Sequence, residues 1–275
     1  MDDKVYPNFL QGFFLTLGLV IILVSSYALE SIPLHLKIKV PTYFISLVLA
    51  FSSLLYIPVI YYALKKSRIN ILSNFDFPGL KLCCLLILFA ISVRILSLPL
   101  IDPVIFTSSF LNNQLEYSFF KPLVMDTNFI IKLINGILLA PVLEEIFFRG
   151  ILLQQFLKQY SPWKAILLSS LIFTFAHLRY IDVGYLMVSG IAFGYVFYKT
   201  NSVVASMIVH SSGNLLWLVT KYYKTPLDDS SLQKLFFILS ASILVVYLFV
   251  KYIDRLQNKQ PENIWPVPNQ IQIKN

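Results

Sequence analysis

The stretch Pro141-Val142-Leu143-Glu144-Glu145-Ile146-Phe147-Phe148-Arg149-Gly150 places two adjacent carboxylates and a guanidinium inside one of the most apolar parts of the chain. An ionised side chain at the centre of a membrane-spanning helix costs about 2.5–3.5 kcal/mol even on insertion scales. Charges at such a depth indicate a functional site, with a structural ion pair as the alternative. Glu145 and Arg149 share one helical face, whereas Glu144 is rotated from Glu145 by about 100°. The two glutamates therefore need not have the same role.

The composition around this stretch is that of an integral membrane protein. The 275 residues are 57% hydrophobic and 13% charged, and the mean hydropathy is +0.72. That is more apolar surface than one soluble core of this length hides. The formal net charge of +8 is spread over short loops, which argues against nucleic-acid binding. Cys83 and Cys84 are adjacent in an apolar segment, so we expect them to be packing residues rather than a disulfide or metal ligands.

Apolar runs near the length of a bilayer span recur along the whole chain. The first, Phe9–Leu29, is interpreted as a transmembrane helix rather than a signal peptide, because its flank lacks a clear positive charge. The eight predicted spans are Phe9–Leu29, Tyr43–Leu64, Leu82–Leu100, Asn128–Gln155, Trp163–His177, Val183–Tyr198, Ser202–Val219 and Leu232–Val250. The predicted fold is all-α: a polytopic transmembrane bundle of about eight helices, forming one domain over residues 1–275.

The charges of the loops give an orientation for this bundle. With eight spans both termini share a side, and that side receives twelve Lys and Arg residues against eight on the other. The cluster Lys65-Lys66-Ser67-Arg68 dominates the excess. The positive-inside rule therefore predicts that both termini are cytoplasmic. Residues 257–275 are predicted to be a polar cytoplasmic tail, because they are rich in polar residues and proline.

Local signals mark the ends and the shape of two of these helices. Ser161-Pro162 predicts a capping hydroxyl followed by a proline at the start of the fifth span. Pro141 has no amide hydrogen to donate to the carbonyl of Ile137. The fourth span should therefore bend there, and the freed carbonyl must find another donor. A bend beside a polar cluster predicts a membrane-embedded polar cavity.

Two further polar groups lie at membrane depth. Phe173-Thr174-Phe175-Ala176-His177 places a histidine near the end of the fifth span, and a packed or interfacial role is the alternative to a functional one. His210 and Asn214 are four residues apart and share a face of the seventh span. A buried imidazole and a buried amide require partners, so these residues are expected to meet other polar groups.

Two other features are compatible with packing alone or remain open. Gly190 and Gly194 form a G-x-x-x-G pattern, with Gly184 further up the same span, and predict a close approach of a neighbouring helix. Arg94 in the third span either neutralises a carboxylate of the cluster or extends to the membrane interface.

One carboxylate, two imidazoles and an amide suit the activation of water. Glu144 is expected to take a proton from water held jointly with His177. His210 and Asn214 can then donate hydrogen bonds to the oxyanion of a tetrahedral intermediate. The reaction class is amide hydrolysis.

A zinc alternative uses nearly the same groups, since Glu144, His177 and His210 are a ligand set typical of catalytic zinc. No H-E-x-x-H helix is present. A serine hydrolase is not favoured, because Ser211 and Ser212 are adjacent to His210 in a helix, where neighbouring side chains point apart, and no G-x-S-x-G turn exists.

Three motifs in order, Glu144-Glu145-x-x-x-Arg149, Phe173-x-x-x-His177 and His210-x-x-x-Asn214, resemble the CAAX prenyl protease and bacteriocin-processing (abortive-infection-like) family of intramembrane proteases. The likeness covers residues 128–219, the predicted protease-family core. It implies that Glu144 and His177 activate water, that His210 and Asn214 stabilise the oxyanion, and that Glu145 and Arg149 support the site. It also implies a bundle of about eight helices with a cavity open to the cytosol.

The resemblance leaves the substrate, the metal and the physiological role open. It implies cleavage of membrane-associated or C-terminally lipidated (CAAX-type) proteins, including prenylated ones. Bacterial members are linked to bacteriocin immunity, peptide maturation or surface-protein display. Its members are described both as metalloproteases and as metal-independent glutamate proteases. The compact length with short loops favours a bacterial plasma-membrane protein.

Two other functions compete with proteolysis. A non-catalytic scaffold or bacteriocin-immunity protein would have the same membrane fold without turnover. A transporter would use the buried charges as an ion path, but the sequence lacks paired halves with repeated broken helices.

Overall fold

The computed structural model of the chain describes residues 5–35, 54–101, 127–178, 183–222 and 232–258. These residues form helices, turns and bends, and no strand occurs among them. The helices are α1 (Phe9–His35), α2 (Tyr56–Ser67), α3 (Leu80–Leu96), α4 (Leu98–Ile101), α5 (Thr127–Ile134), α6 (Ala140–Glu145), α7 (Gln154–Leu157), α8 (Pro162–Ala176), α9 (Val183–Thr200), α10 (Val203–Tyr222) and α11 (Leu232–Asn258). A short 3-10 helix, Ile71–Asn74, lies between α2 and α3.

The predicted spans coincide with helices wherever the structure describes them, which confirms the all-α class. Residues 43–53 of the predicted second span lie outside the described residues, as do residues 259–275 of the predicted tail. The last helix continues past Val250 to Asn258. Its final turns are held to α9, because Asp254 accepts a hydrogen bond from the Tyr195 hydroxyl at 3.2 Å and pairs with Lys199 at 2.7 Å.

Length and composition single out one helix of the described residues, Lys234–Leu256, as able to cross a membrane. Phe9–Ile21, Pro162–Ala176 and Val203–Val219 are shorter apolar helices. The number of eight spans therefore stays a prediction. Many large apolar side chains on the described helices face outward, among them Leu138, Ile243 and Leu248, which are each more than half exposed.

The core is built around residues 146–153, a π-helical segment between α6 and α7. Its side chains from Phe147 to Leu153 are buried, and the segment packs against α2, α8, α9 and α10. Helices α8 and α9 form the most extensive helix pair. Two glycines of α9 permit this approach: a Cβ on Gly190 would lie 3.0 Å from the Ser170 Cβ, and one on Gly194 would lie 3.2 Å from Ile166 Cγ2. The predicted packing role of the G-x-x-x-G pattern is confirmed.

The start of α8 agrees with its sequence signal only in part. Pro162 occupies the first turn, as predicted. Ser161 precedes it with an extended backbone, but its hydroxyl makes no capping hydrogen bond, so that part of the prediction was wrong. Pro162 itself has no amide hydrogen that needs a partner at the first helical position. The Ser161 carbonyl instead accepts the Ala165 amide at 2.9 Å.

Candidate active site

The site is carried by one continuous helical run over residues 127–157, in which α5, α6 and α7 alternate with two π-helical segments, Asn135–Leu139 and Ile146–Leu153. A π-helical turn contains an extra residue, so it shifts the face on which the following side chains lie. The two segments enclose α6, whose last two residues are Glu144 and Glu145. The helical irregularity is therefore concentrated around the carboxylates.

One of the two predicted consequences of Pro141, a new donor for the freed carbonyl, is observed, and the bend stays a prediction. The carbonyl of Ile137, four residues upstream, accepts a hydrogen bond from the Ser211 hydroxyl at 2.7 Å. Ser211 lies on α10, directly after His210. The hydroxyl thus satisfies a freed acceptor and fixes α10 against the helical run, which is a structural role rather than that of a nucleophile.

Asn214 makes the second contact of this kind. Its Nδ2 lies 2.8 Å from the carbonyl oxygen of Gly136, and because a carbonyl only accepts, the amide nitrogen donates. One hydrogen of the amide is used in this bond, which leaves the other for a further acceptor. Ser211 and Asn214 together join α10 to the first π-helical segment.

Glu145 lies at the centre of a fully buried charged group. Its Oε1 accepts a hydrogen bond from Arg149 Nη1 at 3.0 Å and lies 2.8 Å from His210 Nδ1. The side chains of Glu145 and Arg149 are 0% exposed and that of His210 is 6% exposed. Because an ionised carboxylate only accepts, we infer that His210 Nδ1 carries a hydrogen and that Nε2 faces away from the pair. The predicted Glu145–Arg149 pair is confirmed, whereas no sequence pattern indicated that Glu145 also contacts His210.

Arg149 is held by more than its ion pair. Its Nη2 donates to the carbonyl of Gly190 on α9 at 3.0 Å. The guanidinium carbon lies 4.7 Å from the ring centroid of Phe173 and 5.2 Å from that of Phe193, within the range of cation–π attraction. These aromatic rings replace part of the hydration that a buried cation loses.

Glu144 and His177 form the less buried part of the site. Their side chains are 13% and 25% exposed, and Glu144 Oε2 lies 3.7 Å from His177 Nε2. That separation is longer than a hydrogen bond. His177 Nδ1 lies 2.8 Å from the carbonyl oxygen of Phe173, so Nδ1 donates and Nε2 faces the carboxylate. Among the residues that the structure describes, Glu144 Oε2 has no hydrogen-bond partner although it is buried.

Aromatic side chains link the two parts of the site. The Phe193 ring is stacked on His210, with centroids 4.6 Å apart and planes 19° apart. The ring centroid of Phe173 lies 4.5 Å from that of His177 and 6.0 Å from that of His210. Sequence reasoning did not assign Phe193 or Gly190 to the site. The Phe173-x-x-x-His177 spacing was a signal for the contact between those two, since residues four apart share a helical face.

The structure therefore brings the predicted residues together in two adjacent groups. Glu144 meets His177, and Glu145 meets Arg149 and His210. Asn214 is one turn from His210 on the same helix. The guanidinium of Arg94 is 4.2 Å from the Tyr185 ring centroid, and its side chain is 6% exposed. Both predicted roles of Arg94 stay predictions.

Glu144, His177 and His210 are the zinc ligands that the sequence predicts as an alternative. Within residues 5–35, 54–101, 127–178, 183–222 and 232–258, no group of three or more His, Cys, Asp or Glu side chains is placed to hold one metal ion. Glu144, His177 and His210 thus do not fit a shared ion in this arrangement, and zinc stays a prediction for experiment.

Comparison with known proteins agrees with the motifs. A family model described as Type II CAAX prenyl endopeptidase Rce1-like matches residues 126–216. Neither a curated protein nor a solved structure matches the chain. The matched third of the chain contains Glu144, Glu145, Arg149, His177, His210 and Asn214. The family is one of membrane-embedded proteases, in agreement with the hydropathy of the chain. Residues 126–216 are thus similar to the type II CAAX prenyl endopeptidases, as the three motifs predicted.

Proposed function

We propose that the protein is an intramembrane endopeptidase that cleaves a membrane-associated or C-terminally lipidated, CAAX-type protein with water activated by Glu144 and His177. The proposal rests on two acceptor atoms at the less buried part of the site. Glu144 Oε2 and His177 Nε2 face each other at 3.7 Å, and the carboxylate oxygen has no hydrogen-bond partner among the described residues.

A single hydrogen-bond donor can be shared by two acceptors that face each other in this way. With Nδ1 of His177 donating to the Phe173 carbonyl, a neutral imidazole presents only a lone pair at Nε2. A water molecule can donate one hydrogen to that nitrogen and one to Glu144. Its oxygen is then polarised by two bases and retains a lone pair for attack on a carbonyl carbon.

The other part of the site can stabilise the negative charge that this attack creates. His210 Nδ1 donates to Glu145, which also holds Arg149. When Nε2 also carries a hydrogen, this nitrogen can donate to the oxyanion. The remaining amide hydrogen of Asn214 can add a second donor. Such donors typically lower a barrier by about 3 kcal/mol each in a water-poor site.

The reaction balances without a covalent enzyme intermediate. The water oxygen bonds to the scissile carbonyl carbon while its proton moves to Glu144 or His177. The same proton is then delivered to the amide nitrogen as the carbon–nitrogen bond breaks. A carboxylic acid and an amine are released, and the acid then passes its proton to the amine or to solvent. Glu145 and Arg149 touch no reacting atom in this scheme and act as positioning residues.

The class of substrate follows from the membrane setting and the matched family. A site built on helices of this hydropathy is accessible to segments that are themselves apolar or carry a lipid. The similarity to CAAX prenyl endopeptidases supports a membrane-associated protein as partner. Prenylation of the substrate, a bacterial plasma membrane as the location and cytoplasmic termini are parts of the proposal.

The test compares the unmodified protein with its Glu144→Gln variant on a pool of solubilised membrane proteins. New peptide termini are identified by mass spectrometry, with and without a chelator. Glu30→Gln is the matched control, because it makes the same chemical change in α1. Termini that only the unmodified and the Glu30→Gln proteins produce are expected, and loss of these termini with chelator would establish a metal.

Identical profiles for all three proteins would contradict the proposal. That result would favour the non-catalytic scaffold or immunity protein that the sequence leaves as the alternative. Folding of each variant is compared by circular dichroism and thermal unfolding, so that a loss of termini is not confused with a loss of fold.

A further inference from the structure

One end of the helix bundle carries a layer of lysines stacked on tyrosines. Five lysines lie over tyrosine rings: Lys66, Lys81, Lys164, Lys199 and Lys251. The distance from Nζ to the ring centroid is 4.3 Å for Lys66 over Tyr6 and 4.9 Å for Lys251 over Tyr247. We name these five lysines and their tyrosines the Lys–Tyr collar.

Contacts between helices place the collar in one layer. Lys81 at the start of α3 lies 5.6 Å from the ring centroid of Tyr252 near the end of α11. Lys199 at the end of α9 pairs with Asp254 of α11. Trp163 at the start of α8 is stacked on Tyr195 of α9, with centroids 5.9 Å apart.

The N-terminal side of the bundle closes the same layer. Tyr6, just before α1, lies under Lys66 at the end of α2. The Pro7 carbonyl accepts a hydrogen bond from Gln159, in the turn between α7 and α8, at 3.1 Å. The collar thus surrounds the end of the bundle at which α1, α3 and α8 begin and α2, α9 and α11 end.

This layer is strongly basic. Residues 65–81, 158–164, 195–202 and 251–255 contain nine Lys and Arg residues against two Asp residues. Of the five collar lysines, four are exposed and Lys199 is half-buried. At the other ends of the described helices, residues 28–35, 96–101, 127–134, 216–222 and 232–238 contain three lysines against one glutamate.

Large apolar side chains project beside these charges. Leu72 is 74% exposed, Phe77 67% and Leu80 77%. Hydrogen bonds hold the segment that bears them against the turn between α9 and α10. Asn74 donates to the Asn201 side-chain oxygen at 2.6 Å. The backbone carbonyl of Asp76 accepts the Ser202 hydroxyl at 2.6 Å.

Ammonium groups, tyrosine rings and exposed apolar side chains in one layer match the chemistry of a bilayer interface. Tyrosine and tryptophan favour the headgroup level, and the lysine ammonium extends to the polar side of it. An excess of basic residues there attracts anionic lipids. A nucleic acid would not require the exposed leucine and phenylalanine side chains between the charges.

We propose that the Lys–Tyr collar binds the anionic headgroups of phospholipids in one leaflet and selects them over zwitterionic ones. This surface lies at the side that the loop charges assign to the cytoplasm, whose leaflet is the more negative. The inference does not depend on protease activity, because the collar and the Glu144–His177 pair are formed by different residues.

The test measures retained lipid on the purified full-length protein by native mass spectrometry. The probes are phosphatidylglycerol and phosphatidylcholine with the same acyl chains, each added to the detergent-solubilised protein, and inorganic phosphate in a separate arm. The unmodified protein should retain phosphatidylglycerol in preference. A variant with Lys66, Lys81, Lys164 and Lys251 all changed to Gln should lose roughly tenfold or more of that preference.

Two further variants keep the result interpretable. The same four positions changed to Arg preserve the charge and should preserve the preference. Lys37, Lys39, Lys221 and Lys224 changed to Gln make an equal charge change in segments that the sequence assigns to the opposite side, and the preference should remain. Equal retention of both lipids by the unmodified protein would overturn the proposal. So would an equal loss in both Gln variants, or displacement of the lipid by millimolar phosphate.

Discussion

The two adjacent glutamates have opposite environments within one helical turn. Glu145 is fully buried, and its Oε1 is shared by Arg149 and His210. Glu144 is partly exposed, and its Oε2 has no hydrogen-bond partner in the part of the chain that the structure describes. The protein thus stabilises one carboxylate with its own cations and leaves the next one available. Glu145 Oε2 likewise has no hydrogen-bond partner among the described residues, but it belongs to a side chain that is 0% exposed and whose other oxygen is bound by two groups. Position in an apolar stretch therefore does not by itself assign a charge to catalysis, and exposure together with the paired groups distinguishes the two carboxylates.

The largest effect on activity is expected for Glu144→Gln. The variant keeps the shape of the side chain but removes the base, so the rate of substrate cleavage should fall by roughly 10²–10⁴. Its free energy of unfolding should stay within about 1 kcal/mol of the unmodified value, because no protein hydrogen bond to Oε2 is lost. The rate is measured with a substrate from the terminus screen and the stability by thermal unfolding in detergent. A strong loss of stability would mean that Glu144 is a structural residue.

Glu145→Ala should give the opposite result. Removing this carboxylate leaves the Arg149 guanidinium buried without its anion, which costs about 3–5 kcal/mol of stability. The measurement is denaturant unfolding in detergent, and Glu145→Ala combined with Arg149→Leu is the partner variant. The double variant should regain part of the loss, because no uncompensated charge remains. Equal stability of the two variants would show that the pair is not coupled.

Asn214→Ala sharpens the assignment of the oxyanion donors. If the second amide hydrogen of Asn214 stabilises the intermediate, kcat should fall by roughly 10²–10³. KM should change much less, because the donor acts on a charge that develops only during the reaction. Steady-state kinetics measures kcat and KM separately. A change in KM with kcat retained would place Asn214 in substrate binding or in the packing of α10.

The smallest effect is expected for Ser211→Ala. The change leaves the Ile137 carbonyl without its donor and should cost about 1–3 kcal/mol of stability. The rate of cleavage should fall by far less than in Glu144→Gln, because Ser211 touches no reacting atom. Ser212→Ala is the matched control on the neighbouring residue. Loss of activity as complete as that of Glu144→Gln would revive a serine nucleophile.

Spacing rules predicted the parts of this site that lie within one helix. Glu145 and Arg149 pair at four residues, and the carbonyl of Ile137, which Pro141 frees, accepts from another group. Hydropathy likewise predicted the helices, although α1 continues beyond the predicted end at Leu29 to His35 and α11 beyond Val250 to Asn258. These features depend on helical geometry that each segment carries on its own.

Contacts between helices could not be predicted in the same way. The partner of His210 is 65 residues away, and the Gly190 carbonyl that binds Arg149 is 41 residues away. Both depend on how α9 and α10 pack against the helical run. The two π-helical segments had no sequence signal beyond Pro141, since an extra residue in a turn is settled by its surroundings. The stacking of Phe193 on His210 could not be predicted either, because it also depends on how α9 packs against α10.

The most direct test of the central claim follows the oxygen of the attacking water. A single turnover is run in water enriched in oxygen-18, and both the product and the enzyme peptide that contains Glu144 are analysed by mass spectrometry. Direct attack by activated water should give one labelled oxygen in the new carboxylate of the product and none in Glu144. Label in the Glu144 carboxylate, or a trapped acyl adduct on it, would show a covalent intermediate and contradict direct attack by activated water.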